Sequence, residues 1–251
     1  MSFRLRAFAL HFAGSAAVLT LVLGGLYLGW YRWPGWYLSG GIRILALVAA
    51  IDVMLGPSLT LLIASPGKPR RELARDIAVI VTVQLAALVY GTATLWQGRP
   101  LYYAFSVDRL QLVRASDLPA DEIALAQAAN PALAPHWYSL PRWIWAPLPE
   151  DPKEAAKIVQ SAVFGGNDII DMPRYFRPWS AGLPELRKHL AALAEIRGLT
   201  PAETQALTAQ MRRLGLAPEA RNALLLWWGA HHVLAVFDTG TLRISVILQA
   251  D

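Results

Sequence analysis

The chain has 251 residues, of which 55% are apolar and 16% charged, too greasy for an ordinary soluble domain and too mixed for a transporter made only of spans. Its formal net charge is +5, yet from Gly98 to Asp251 there are 15 Lys plus Arg against 15 Asp plus Glu, so the basic excess belongs to the first 97 residues. A nucleic-acid partner would need a basic stripe on the balanced part, and zero cysteines exclude disulfides, thiolate nucleophiles and Cys-ligated metals.

Phe8 to Trp30 carries no charged residue, Ile44 to Ala64 carries only Asp52, and Ile77 to Trp96 carries none. At 1.5 Å per residue, each run reaches about 30 Å or more, enough to cross a hydrocarbon core. The chain is therefore expected to hold a membrane domain at 1–97 with three transmembrane helices, at 8–30, 44–64 and 77–96, in contact with lipid. The first run is too long for a cleaved signal and lacks a small-residue cleavage site, so it is expected to be retained. The turn Trp30-Tyr31-Arg32-Trp33-Pro34-Gly35-Trp36-Tyr37 has the composition of an anchor at headgroup level.

Orientation follows from the basic residues near the span ends. Arg4, Arg6, Lys68, Arg70, Arg71 and Arg75 lie on one side and only Arg32 and Arg43 on the other. The first side is expected to be cytoplasmic. Three spans then put the C-terminal part outside the cytoplasm, which in a Gram-negative bacterium means a multi-pass inner-membrane protein with a periplasmic domain.

The second span contains Asp52-Val53-Met54-Leu55-Gly56-Pro57-Ser58-Leu59-Thr60. Pro57 has no amide to donate and crowds the carbonyl of Val53, so the helix is expected to kink or loosen about one turn after the Asp. Gly56 leaves room for another backbone to approach. An Asp at mid-span costs about 2.5–3.5 kcal/mol on insertion scales and should face protein or water, with Gln84 or Tyr90 of the third span at a depth to donate to it. Two readings stand: a polar notch used by a partner helix or a proton, or an Asp that only locks three helices together.

The remainder, 98–251, reads as an α+β soluble domain with an antiparallel sheet. Leu101–Val107 and Leu110–Arg114 form a hairpin. Ser116 or Asp117 caps a helix to about Ala129. Six prolines between Pro131 and Pro152, interleaved with Trp137, Tyr138, Trp143 and Trp145, predict an irregular segment whose aromatics form either a contact surface for an extended peptide or the plug of a small core. Asp151-Pro152 opens a helix ending at Gly165-Gly166, and Thr200-Pro201-Ala202-Glu203 opens another closed by Gly215. Between them, apolar residues at 183, 186, 190, 193 and 196 predict a helix over Leu183–Arg197. Leu224–Trp228, Val233–Phe237 and Leu242–Leu248 close the chain as strands.

Most of the tempting chemistry fails. Val236-Phe237-Asp238-Thr239-Gly240-Thr241 looks like an aspartic-protease loop, but a second Asp loop is missing and only 11 residues follow Gly240, so the letters read better as a hairpin turn. His231 and His232 are adjacent on a strand and point to opposite faces, which does not suit one metal. No Walker or dinucleotide motif appears, and no catalytic residue, cofactor site or metal site is assigned.

Asp52 with Leu55-Gly56-Pro57-Ser58-Leu59-Thr60, then Arg75-Asp76-Ile77-Ala78-Val79-Ile80, Gln84-Leu85, Tyr90-Gly91, Arg99-Pro100 and Val107-Asp108-Arg109 together resemble type IV pilin accessory proteins of the TfpX/TfpZ family. The resemblance is strong over about residues 35–118, weakens across the Pro-rich middle and returns at Asp238-Thr239-Gly240. It implies a non-enzymatic, chaperone-like inner-membrane protein that assists a type IV pilin, with further contact to the pilus assembly machinery open. Asp52, Gly56, Pro57, Gln84 and Tyr90 are the candidate intramembrane partner site, and Trp137, Trp143 and Trp145 the candidate periplasmic contact surface. The alternatives are a membrane-anchored periplasmic hydrolase, which lacks a clustered acid, base or nucleophile, and a ligand sensor, which lacks a cytoplasmic output domain. Alkaline phosphatase fused after Asp251 is expected to be active in cells, and an inactive fusion refutes the orientation.

Overall fold

The structure, a computed structural model, describes residues 2–229 and 231–249, so residues 230, 250 and 251 of the expected second domain lie outside it. The chain divides into two compact units between Arg99 and Pro100.

The first unit holds three helices long and apolar enough to cross a membrane: α1 (Phe3–Gly29), α2 (Gly41–Ile63) and α3 (Arg70–Gln97). Each is longer than the charge-free run that predicted it, because α1 and α3 take in the flanking arginines. Leu19, Leu23, Leu26, Val48, Leu88 and Leu95 are buried between the helices, while Leu10, Leu21, Leu62 and Val89 point outward and exposed. That inside-out pattern suits a solvent that is itself apolar. At Gly91 an added Cβ would lie 2.3 Å from Val48 Cγ2, so α2 and α3 approach closely there. Within the unit the aromatic turn acts as a clasp. Tyr31 is buried and its hydroxyl donates to the Leu95 carbonyl at 2.6 Å, while Trp30 packs edge-on against Trp96.

The second unit is a seven-stranded mixed sheet in the order β4-β3-β1-β2-β5-β6-β7, mostly antiparallel, with helices packed on it. The strands are β1 (Pro100–Ser106), β2 (Arg109–Arg114), β3 (Arg142–Trp145), β4 (Arg177–Pro178), β5 (Ala223–Trp228), β6 (His231–Phe237) and β7 (Ile244–Gln249). The hairpin β1/β2 and the meander β5/β6/β7 match the sequence reading. Two junctions are parallel, β1 with β3 and β2 with β5. Strand β3 is hidden in the Pro-rich segment: Arg142-Trp143-Ile144-Trp145 sits between Pro141 and Pro147, which fall just outside the ladder. Pro178 sits in β4 at the sheet edge, where its missing amide is tolerated.

The helices of this unit are α4 (Ala120–Ala129), α5 (Pro152–Val163), α6 (Leu183–His189) and α7 (Pro201–Arg213). Two expectations are corrected. Helix α4 starts after Pro119, because the Asp117 carboxylate is occupied by the Arg114 amide at 2.9 Å and the Arg114 guanidinium at 2.7 Å. The predicted helix Leu183–Arg197 stops at His189, because the backbone of Ala191 exchanges two hydrogen bonds with Ala223 of β5, at 3.0 and 3.1 Å. A bridge to the first residue of β5 thus outcompetes helical periodicity. Helix α7 has the expected capping box, with Thr200 Oγ1 accepting from the Glu203 amide and the Glu203 carboxylate accepting from the Thr200 amide.

The core has two parts. Leu101, Ala104, Val113, Ile144, Ile158, Ile169 and Phe176 pack around β1, β2 and β3, and Leu193, Leu207, Met211, Leu225, Leu234 and Val236 pack between α7 and the C-terminal strands. Phe176 is fully buried and meets Tyr102 edge-on at 5.0 Å. Phe176→Ala is expected to destabilise the second unit by about 3–5 kcal/mol, read from the urea midpoint of the full chain in detergent.

Candidate functional site

The strongest polar constellation lies inside the first unit. Residues Ala50–Leu55 form a π-helical turn, in which the Gly56 amide donates to the Ile51 carbonyl, five residues back. In that register the donor owed to the Asp52 carbonyl is the amide of residue 57, and Pro57 has none. Gln84 of α3 supplies the missing bond, its Nε2 donating to the Asp52 carbonyl at 2.8 Å. The loosening expected after Asp52 therefore contains it.

That bond orders its neighbours. A backbone carbonyl only accepts, so Gln84 must present its amide nitrogen to Asp52 and its Oε1 to the other side. There His11 Nε2 of α1 lies 2.8 Å from Oε1, and therefore carries a proton. His11 Nδ1 lies 2.6 Å from Thr60 Oγ1, and the same hydroxyl is 3.1 Å from the Gly56 carbonyl. With a neutral ring, the Thr60 proton serves Nδ1 or Gly56 but not both. With an imidazolium, Nδ1 donates to Thr60 and Thr60 to Gly56. Ser15 completes the group, its Oγ at 3.4 Å from Gln84 Nε2. Among these residues Asp52, Thr60 and Gln84 are buried.

The side chain of Asp52 takes no part. It is 4% exposed, and neither carboxylate oxygen has a hydrogen-bond partner. Asp52 also lines a cleft of about 240 Å³ between α1, α2 and α3, bordered by His11, Gly14, Ser15, Gln84 and Leu85. Most of the cleft surface is apolar, so an unsatisfied carboxyl there is costly.

The sequence-derived site thus divides. Asp52, Gly56, Pro57 and Gln84 come together, but Gln84 serves the backbone of Asp52 rather than its carboxyl. Tyr90 is 76% exposed and points away. Gly56 admits the Gln84 amide rather than a neighbouring backbone: a Cβ there would fall 2.1 Å from Gln84 Nε2. His11, Ser15 and Thr60 were not singled out from the sequence. The one signal for His11 was an imidazole within a run otherwise free of ionisable groups.

In the second unit the three tryptophans behave differently from one another. Trp143 stacks on Tyr103 at 4.7 Å and meets Trp179 edge-on at 5.3 Å. Trp145 lies against Gly182, where an added Cβ would sit 2.5 Å from its ring. Trp137 is 73% exposed, beside exposed Tyr138 and Leu140. Asp238 closes the β6/β7 turn, its Oδ1 accepting from the Thr241 amide and hydroxyl at 2.7 Å each, and these bonds hold its carboxyl below the usual range. His232 Nε2 approaches Glu203 Oε1 at 3.1 Å, and no group of three or more His, Cys, Asp or Glu fit to hold a metal occurs among the described residues.

Three helices long and apolar enough to cross a membrane thus close round a polar knot, and a mixed α+β unit follows them. The chain is similar to three proteins of Dichelobacter nodosus. It is 29% identical to "Fimbrial assembly protein, serogroup I" over 189 residues, 74% of this chain and 71% of that one. It is 28% identical to the serogroup E1 protein over the same share of both chains. It is 31% identical to "Fimbrial assembly protein, serogroups C1 and C2" over 117 residues, 47% of this chain and 89% of that one. The chain belongs to this family of fimbrial assembly proteins. No family model and no solved structure matches it.

Gly56→Ala is expected to push Gln84 off the Asp52 carbonyl and cost the helical unit about 1–3 kcal/mol, the penalty of a buried acceptor left unmade. The unfolding midpoint of the full chain in SDS–detergent mixtures checks it, and the loss should be smaller in a chain that already carries Gln84→Ala.

Proposed function

We propose that this protein is an inner-membrane accessory protein for type IV pilus assembly, of the TfpX/TfpZ kind, which holds a pilin subunit before polymerisation. The reading is non-enzymatic and chaperone-like. The observation that carries it is the family relationship to fimbrial assembly proteins. The positive-inside distribution of Lys and Arg supports a cytoplasmic N-terminus and a periplasmic second unit. A pilin awaiting assembly presents two surfaces, an apolar helix in the membrane and a globular head outside it. In this reading the Asp52–Pro57 turn and α3 meet the helix, and the second unit meets the head. Trp137, 73% exposed, offers the most open surface of the three tryptophans for that second contact.

Deletion of the gene is expected to lower both pilin on immunoblots and pili at the cell surface. A photoreactive residue in place of Leu85 or Trp137 is expected to capture pilin. Unchanged piliation in the deletion strain, or capture from neither position, overturns the reading.

A further inference from the structure

Resting on the reading above, the geometry points to the chemistry of the docked helix: it carries a hydrogen-bond donor at mid-membrane depth that enters the cleft between α1, α2 and α3 and completes the carboxyl of Asp52.

Three observations carry this. The first is the carboxyl itself. Its backbone carbonyl is satisfied by Gln84, but both side-chain oxygens are buried without a partner. Native interiors rarely leave such groups unmade, and a carboxyl inside a membrane helix ordinarily marks a functional site. Gln84 Nε2 is committed to the Asp52 backbone and His11 Nε2 to Gln84, and the Ser15 hydroxyl, which accepts from Gln84, makes no bond to the carboxyl. The knot therefore fixes the walls of the cleft and leaves the carboxyl for something that arrives from outside this unit.

The second is depth. Asp52 is the twelfth of the 23 residues of α2, about 16 Å from either end at 1.5 Å per residue. A lipid headgroup at the membrane surface does not reach it, and a helix crossing the bilayer does.

The third is room. On the α1 side the cleft of about 240 Å³ is lined by Leu10, His11, Gly14, Ser15 and Val18, and a Cβ added at Gly14, in the middle of that wall, would meet nothing within 4 Å. Small residues facing open space are how membrane helices admit a close neighbour. Gly14 contrasts with Gly56, whose missing Cβ is already filled by Gln84 of the same unit. The space beside Gly14 is unfilled by this chain.

The test uses the full chain in its own membrane, with a photoreactive residue at Leu85 on the rim of the cleft, and reads capture of pilin at equal protein levels. Gly14→Leu puts a bulky side chain into the cleft from a Cβ position that meets nothing within 4 Å and is expected to abolish capture. Asp52→Leu, which removes the acceptor at similar bulk, is expected to lower capture about tenfold, the usual worth of one buried polar pairing, and Asp52→Asn, which keeps an acceptor, to restore most of it. If Asp52→Leu fails to accumulate, Gly14→Leu and Asp52→Asn decide. Capture that is undiminished in Gly14→Leu or Asp52→Leu, or lost equally in Asp52→Asn and Asp52→Leu, overturns the inference while leaving the pilin reading intact. Adducts with a second copy of this chain in place of pilin overturn it too. No capture from Leu85 or Trp137 in the otherwise native chain overturns both.

Discussion

The first unit depends on one debt of the backbone. Pro57 removes an amide from the middle of a helix that, in an apolar solvent, has no water to replace it. The helix meets this by widening to a π turn, which moves the orphaned carbonyl from Val53 to Asp52, and by borrowing a donor from Gln84 on another helix. An isolated α2 would carry an unmade acceptor in lipid. The proline therefore makes the second helix dependent on the third.

The same bond recruits the first helix. Because Gln84 must turn its nitrogen toward Asp52, its oxygen faces His11, and His11 in turn reaches back to Thr60 one turn beyond the proline. Three helices are closed into a ring of directed hydrogen bonds around a single broken one. Such a ring specifies rotation and depth, which leucine packing between membrane helices specifies poorly. It also leaves the Asp52 carboxyl outside the ring, so the atoms that close the ring and the atoms proposed to meet a docked helix are different atoms of the same residue.

The parts read from sequence were those written in local chemistry. Runs with at most one charge gave the three long helices, an Asp cap followed by proline gave α5, a capping box gave α7, and β-rich runs gave β1, β2 and the C-terminal meander. What failed was decided by distant partners. Leu183–Arg197 has helical periodicity throughout, but Ala191 finds Ala223, more than thirty residues away, and pairs with it. Strand β3 is four residues long and flanked by prolines, so only its neighbours in the sheet, parallel β1 and the short antiparallel β4, make it a strand. At the candidate site, Asp52, Gly56, Pro57 and Gln84 were legible because carboxyls, prolines and glutamines are rare in spans. His11 was not, because its role appears only when α1 is laid against α2 and α3. Tyr90 was misplaced because depth was counted and rotation about the helix axis was not.

The junction of β2 with β5 has a consequence for how the second unit comes into being. These strands are neighbours at the centre of the sheet, yet Leu110 and its partner Leu226 are separated by more than a hundred residues of chain. A nascent chain emerging from its N-terminal side can form the β1/β2 hairpin at once and add β3 soon after. The inner edge of β2 stays open until β5, more than a hundred residues further along, has been made. Closing so long a loop is entropically expensive and slow. An unpaired edge of this kind attracts other strands. Maturation of the unit is thus timed by the arrival of β5, and a chain cut short before it would leave a half-sheet with its sticky side exposed.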